Sequence, residues 1–142
     1  MASASAIADG FLTTLGATFG AANVSKNSYK ILETSGASAA VIVTFSRAMA
    51  TPNAFGGFAR ERSWSFNLRL YLRDTADPNA LLERTFTASE ALMDALEADP
   101  TVQSTVVKIN SIDIGNTPGE AFSAGGQTWL YLPCNVDVTA DW

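Results

Sequence analysis

FARERSWSFNLRLYLR, residues 58–73, carries the clearest pattern in the chain. Trp64, Phe66, Leu68, Leu70 and Leu72 alternate there with Ser63, Ser65, Asn67, Arg69, Tyr71 and Arg73. Because successive side chains of an extended chain point to opposite faces, the spacing predicts a long strand with one buried and one polar face. Just upstream, RAMATPNAFGGFA (47–59) combines Pro52 and Gly56-Gly57 with Met49, Phe55 and Phe58. It reads as a loop with too many apolar groups, mobile alone and ordered by a partner. Further back, Tyr29–Leu32 and Ala39–Phe45 read as two short strands around the ETSGAS turn, with Val41, Ile42 and Val43 buried on both faces.

Both ends of this sheet pattern run into helices. Over residues 3–20, Ile7, Phe11, Leu15 and Phe19 recur every four positions after Ser3 or Ser5 as a cap, which predicts a helix that Gly10 and Gly16 weaken and that packing must hold. Asp77-Pro78 marks a second helix start, and Leu82, Phe86, Ser89, Met93 and Leu96 keep the spacing of one buried face, with Glu90, Asp94 and Glu97 away from it. That helix ends before Asp99-Pro100, since proline disfavours helical geometry in the residue before it. Residues 102–138 then read as a C-terminal hairpin. Its first strand, Val102–Ile114, shifts phase between Val106 and Ile109 as a bulge does, and NTPGEAFSAGG connects it to the second, Thr128–Val138. In the second strand Leu130, Leu132, Cys134, Val136 and Val138 share one face and Trp129 and Tyr131 the other, while Pro133 requires an edge or a bulge. The order α-β-β-β-α-β-β gives an α+β fold, a mainly antiparallel sheet with two helices packed on one face.

The 142 residues make one domain, 1–142, and 47% hydrophobic against 16% charged residues is enough apolar material for a core. So low a charge content suggests that a partner covers part of the surface. The net charge is −5, which disfavours the phosphate contacts that supply most nucleic-acid affinity. It is unevenly spread: residues 1–76 hold seven Lys/Arg against four Asp/Glu, residues 77–142 two against ten. Such polarity suits a subunit that presents opposite signs to different neighbours. MASASAIADG lacks the charged start and apolar run of a signal peptide, and no stretch reaches the about 18 apolar residues of a membrane span, so a soluble, cytoplasmic protein is expected, with no membrane partner.

Chemistry finds little to work with. With no histidine, the ordinary serine and cysteine nucleophile arrangements lack their base, and the lone Cys134 sits on an apolar strand face as a small core residue. Glu90, Asp94 and Glu97 have the spacing of a solvated helix face, and the glycine pairs lack the setting of a phosphate loop. No catalytic, cofactor-binding or metal-binding residue is therefore expected, and no cofactor. What stands out is Arg47, Arg60, Arg62, Arg69 and Arg73, interleaved with Phe55, Phe58 and Trp64. Arginine with aromatic residues is what protein interfaces favour, so Arg47, Met49, Phe55, Phe58, Arg60, Arg62, Arg69 and Arg73 are the candidate interface residues.

The element order, the Gly/Pro loop ahead of WSFNLRLYLR (64–73), and the run ALMDALEADPTVQSTVVKINSIDI (91–114), with Leu92, Leu96, Asp99, Pro100 and Val102, resemble the tail terminator (tail completion) proteins of long-tailed bacteriophages. The similarity covers about residues 5 to 138, as a pattern of size and order. It implies a homo-oligomeric ring, a hexamer, that caps the tail tube, stops its growth and forms the head–tail joining surface. The implied partners are other copies of the chain, the tail tube protein and a head–tail connector protein. The implied location is the head-proximal end of the virion tail, after assembly in the bacterial host cytoplasm. The family members are not enzymes and need no cofactor. The sheets of neighbouring subunits would line the ring, and the 47–59 loop would contact the tube or the head-side protein. DNA would pass through the lumen without specific binding, so an acidic or neutral lining is expected, with Asp113 and Glu120 as candidate lumen residues. The Ala-rich first helix and the short second strand depart from the family picture. The competing readings are another head–tail connector, a tail tube subunit, or a small monomeric α+β binding domain.

Overall fold

The computed structural model describes residues 3–34, 36–52, 58–74, 77–115, 121–124 and 126–141, with backbone alone at 34, 51–52, 58–61, 121–122, 124 and 141. In chain order the elements are α1 (Ala4–Phe19), β1 (Val24–Lys26), α2 (Lys30–Thr34), β2 (Ala39–Pro52), β3 (Phe58–Arg73), α3 (Pro78–Ala98), β4 (Lys108–Ile114), β5 (Ala121–Ala124), β6 (Gln127–Leu132) and β7 (Cys134–Asp141). The strands form one mixed sheet, antiparallel except where β1 runs parallel to β2.

β3 is the centre, as its strict alternation implies. One edge pairs with β2 along its length, Ala39 opposite Leu72 to Ala50 opposite Arg62. The other edge is shared: Leu70–Arg73 pair with β6 and Glu61–Asn67 with β7. Pro133 stands in the gap between those two pairings, where the ladder needs no N–H donor, so this proline interrupts an inner strand and does not mark a sheet edge. β4 lies outside β7 and β5 outside β6, which places a strand, 121–124, within the segment read as a connection. Glu120 lies outside the described residues.

Two long helices cover one face, as expected for this fold class. α1 is capped by Ser3, whose hydroxyl accepts from the Ala6 N–H at 3.1 Å, and buries Ile7, Phe11 and Leu15 against Val41, Val43, Phe66 and Leu68. Gly10 is required there by contact: a Cβ would stand 2.6 Å from the Val102 carbonyl oxygen. The short α2 lies on the opposite face, where Leu32 joins Ala40, Ile42, Tyr71 and Trp129 in a second, smaller core and accepts a 3.2 Å hydrogen bond from Trp129 Nε1. The segment around Tyr29–Leu32 is thus a helical turn, and the first strand is Val24–Lys26, because Asn27 takes a left-handed conformation (φ 57°) and turns the chain between them.

Three further expectations change. Residues 47–52 extend β2 and 58–59 begin β3, with Arg47–Ala50 opposite Ser65–Arg62 and Pro52 opposite Phe58; 53–57 lie outside the described residues. The buried face of α3 is Thr85, Ala88, Leu92 and Leu96, while Leu82, Phe86 and Met93 are 50%, 54% and 39% exposed. Small side chains bring this helix close to its neighbours, and Thr85 is buried without loss because its hydroxyl donates to the Leu81 carbonyl at 2.9 Å. Finally, 102–107 is a turn, with Val102, Gln103 and Ser104 all left-handed (φ 48°, 58°, 62°), and the bulge falls between Ile109 and Ser111. Asp99 secures that turn by accepting from Gln103 N, Gln103 Nε2 and Thr14 Oγ1, each at 2.8 Å. No helix among the described residues is long and apolar enough to cross a membrane.

Candidate protein interface

Strand register sorts the side chains of the sheet by face. Phe45, Phe66, Val136 and Ile112 lie on the helix-covered face, and Arg47, Ser65, Asp137 and Ser111 form a row across the polar one. That row is tied together: the Ser65 hydroxyl donates to Asp137 Oδ1 at 2.5 Å, and the Ser111 hydroxyl to Oδ2 at 3.2 Å.

Toward α2 the same face becomes an aromatic cluster. The Arg69 guanidinium lies over the rings of Tyr29 and Tyr131, with 5.9 and 5.7 Å to their centroids, and donates to the Tyr29 hydroxyl. Arg73 lies over Trp129 at 5.1 Å. Cations over ring faces gain from the ring quadrupole, so these two arginines are spent within the fold, anchoring α2 and β6 to β3. Burial and a hydrogen bond to Tyr29 push the Tyr71 hydroxyl up to about 12, although Arg69 pulls the other way; Tyr71 is neutral at physiological pH.

The eight candidate interface residues are therefore divided. Arg47 and Met49 are exposed on β2, with Met49 54% exposed. Arg69 and Arg73 are half-buried in the aromatic cluster. Arg62, opposite Ala50 and Ala140, is half-buried as well. Phe58 and Arg60 lie in the backbone of β3, and Phe55 lies outside the described residues. Asp113 is exposed on β4, on the same polar face as Arg47 but at the opposite edge of the sheet.

Sequence reading missed two surfaces. One is Phe45, 47% exposed on β2, its ring 6.0 Å from that of Trp64 and 5.7 Å from that of Phe66. The other is a groove of about 430 Å³ between α3 and β4, lined by Met93, Leu96, Glu97, Pro100, Ile109 and Ile112 among others. Its signal was present in the small residues Ala88, Ala91 and Ala95, which mark the packed side of α3 and leave the larger apolar residues outside. Cys134 is buried, and burial with the nearby Asp113 carboxylate pushes its thiol up to about 12, so it is not a nucleophile near neutral pH. Among the described residues no group of three His, Cys, Asp or Glu side chains could hold a metal ion. Comparison of the chain with models of known protein families finds no match, and comparison with curated proteins finds none either.

Proposed function

We propose that this protein is a structural subunit of a phage tail, a tail terminator whose copies close into a ring on the tail tube, stop its growth and present the surface to which the filled head attaches. The observation that carries this reading is the sheet at the level of Phe45–Met49. Four strands lie side by side there, β2, β3, β7 and β4, alternating in direction. β1 covers β2 only as far as Val43, and β4 pairs only with β7, so both outer strands present free edges among the described residues. Unpaired edges are templates for another chain, and two of them at one level let a subunit pair on both sides, as a ring requires.

With an even number of alternating strands, β2 of one copy and β4 of the next run antiparallel when the copies are related by rotation about a common axis. Such head-to-tail contacts close into rings. The helices bar one face of the sheet, so the polar face with Asp113 is the one offered to the lumen. Ring size and docking partners come from the resemblance to tail terminators.

Electron microscopy of tails assembled with and without the protein tests the reading. Tails made with it should end in a ring and have uniform length; those made without it should lack the ring, vary in length and fail to join heads. Uniform, head-joined tails without the protein would refute the assignment.

A further inference from the structure

We infer that a second copy of this chain docks by the free edge of β2 into the groove between α3 and β4, a contact that rests on the ring reading above and gives it its residues. The receiving groove is apolar at its base, with Met93, Leu96 and Pro100 on one side and Ile109 and Ile112 on the other. On the incoming side Phe45 stands half-exposed, supported from behind by Trp64 and Phe66.

Register makes the two surfaces fit. Phe45, opposite Phe66, lies on the same face of the sheet as Ile109 and Ile112, opposite Val138 and Val136. Arg47, opposite Ser65, shares the other face with Asp113, opposite Asn135. With β2 of one copy antiparallel to β4 of another and Phe45 opposite Ile112, the phenylalanine meets the isoleucines and the groove, and Arg47, opposite Ser111, has Asp113 as its diagonal neighbour.

Charge selects this pairing over a two-fold one. Glu90, Asp94 and Glu97 on α3 and Asp113 on β4 make no ion pair among the described residues, and neither does Arg47 on β2. Pairing β2 with β2 would bring the two Arg47 side chains together; an antiparallel β4–β4 pair would place Lys108 near Asp113 of the other copy but would bring together the two Glu97 carboxylates that rim the grooves beside β4. Like charges brought together across an interface are costly, whereas β2 against β4 joins opposite signs. Of the cations in the basic first half, Arg47 is the one this contact uses, and the acids it meets belong to the acidic second half.

Sedimentation velocity of the full chain over a wide concentration range tests it, with circular dichroism to confirm that each variant is folded. Wild-type protein should assemble. Phe45→Glu and Arg47→Glu on one surface, and Met93→Glu and Asp113→Arg on the other, should each weaken self-association by at least about tenfold. Because the two surfaces differ, mixing Phe45→Glu with Met93→Glu should yield a dimer that neither forms alone, through the one intact surface on each. Combining Arg47→Glu with Asp113→Arg in one chain should restore assembly, a gain that no folding defect could mimic. Variants that assemble like the wild type would overturn this contact and leave the ring reading standing. A wild-type chain that stays monomeric at the highest concentration would overturn both and leave the groove to a different partner.

Discussion

Asp99 shows how much one side chain does in a fold with few charges. Its Oδ2 accepts from Thr14 on α1 and from both nitrogens of Gln103, joining the end of α3 to α1 and holding the left-handed turn that follows. Left-handed L-residues cost of order 1–3 kcal/mol each, so three in succession need such a clamp. Burial alone would raise its pKa, but the hydrogen bonds from Thr14 and Gln103 outweigh it and hold the carboxyl below the usual 3.8. A carboxylate with a depressed folded pKa adds stability that is complete above its unfolded pKa and is lost as pH falls through the folded one. Asp99→Ala should therefore lower stability by about 1–3 kcal/mol at pH 7. The gap between wild type and variant in thermal melts should close on acidification below 3.8. A gap that is constant with pH would assign the loss to packing instead of the charge.

At the level of elements, α3 separates what periodicity can tell from what it cannot. Spacing fixes that a helix starts at Asp77-Pro78, and the Asp77 carboxylate does accept from the Asn79 N–H at 3.0 Å. It does not fix the rotation of the helix, because apolar residues occur all round: Leu92 and Leu96 face the core, Leu82, Phe86 and Met93 do not. Close helix packing prefers small residues, and Ala88 decides the matter against Phe86. Leu92→Ala should cost about 2–5 kcal/mol in denaturant unfolding. Phe86→Ser should stay within about 0.5 kcal/mol of wild type; a large loss there would mean that Phe86 belongs to the core. The central strand was legible for the opposite reason, since a period of two with one polar face has a single solution. The extension of β2 was not legible, because Pro52 and Gly56-Gly57 are turn formers whatever the strand length before them, and the pairing that makes it a strand comes from its hairpin partner β3 and not from its own pattern. The exposed role of Phe45 was hidden likewise: it follows the buried run Val41–Val43, and only the short reach of β1 leaves it uncovered.

For the molecule as a whole, the decisive quantity is where positive charge remains available. The chain carries −5 overall, and the arginines that cluster in its sequence between residues 47 and 73 are dispersed by folding. Arg69 and Arg73 lie over Tyr29, Tyr131 and Trp129. Arg62 is half-buried, opposite the buried Ala140. Arg47 is exposed, yet on the same face stand Asp113 and Asp137, so the polar face offers no continuous positive stripe for phosphates to follow. Affinity for DNA grows with the number of phosphates neutralised, and a surface of this kind neutralises few. A ring through which DNA slides requires the same property, since a lining that bound phosphates would hold the genome during ejection. Duplex DNA titrated into the protein at about 0.15 M salt should give no measurable binding, and lowering the salt should recover only weak affinity. Tight, salt-sensitive binding that is lost in Arg60→Ala/Arg62→Ala would instead make the basic strand a DNA contact and remove the reason for reading its residues as a protein surface.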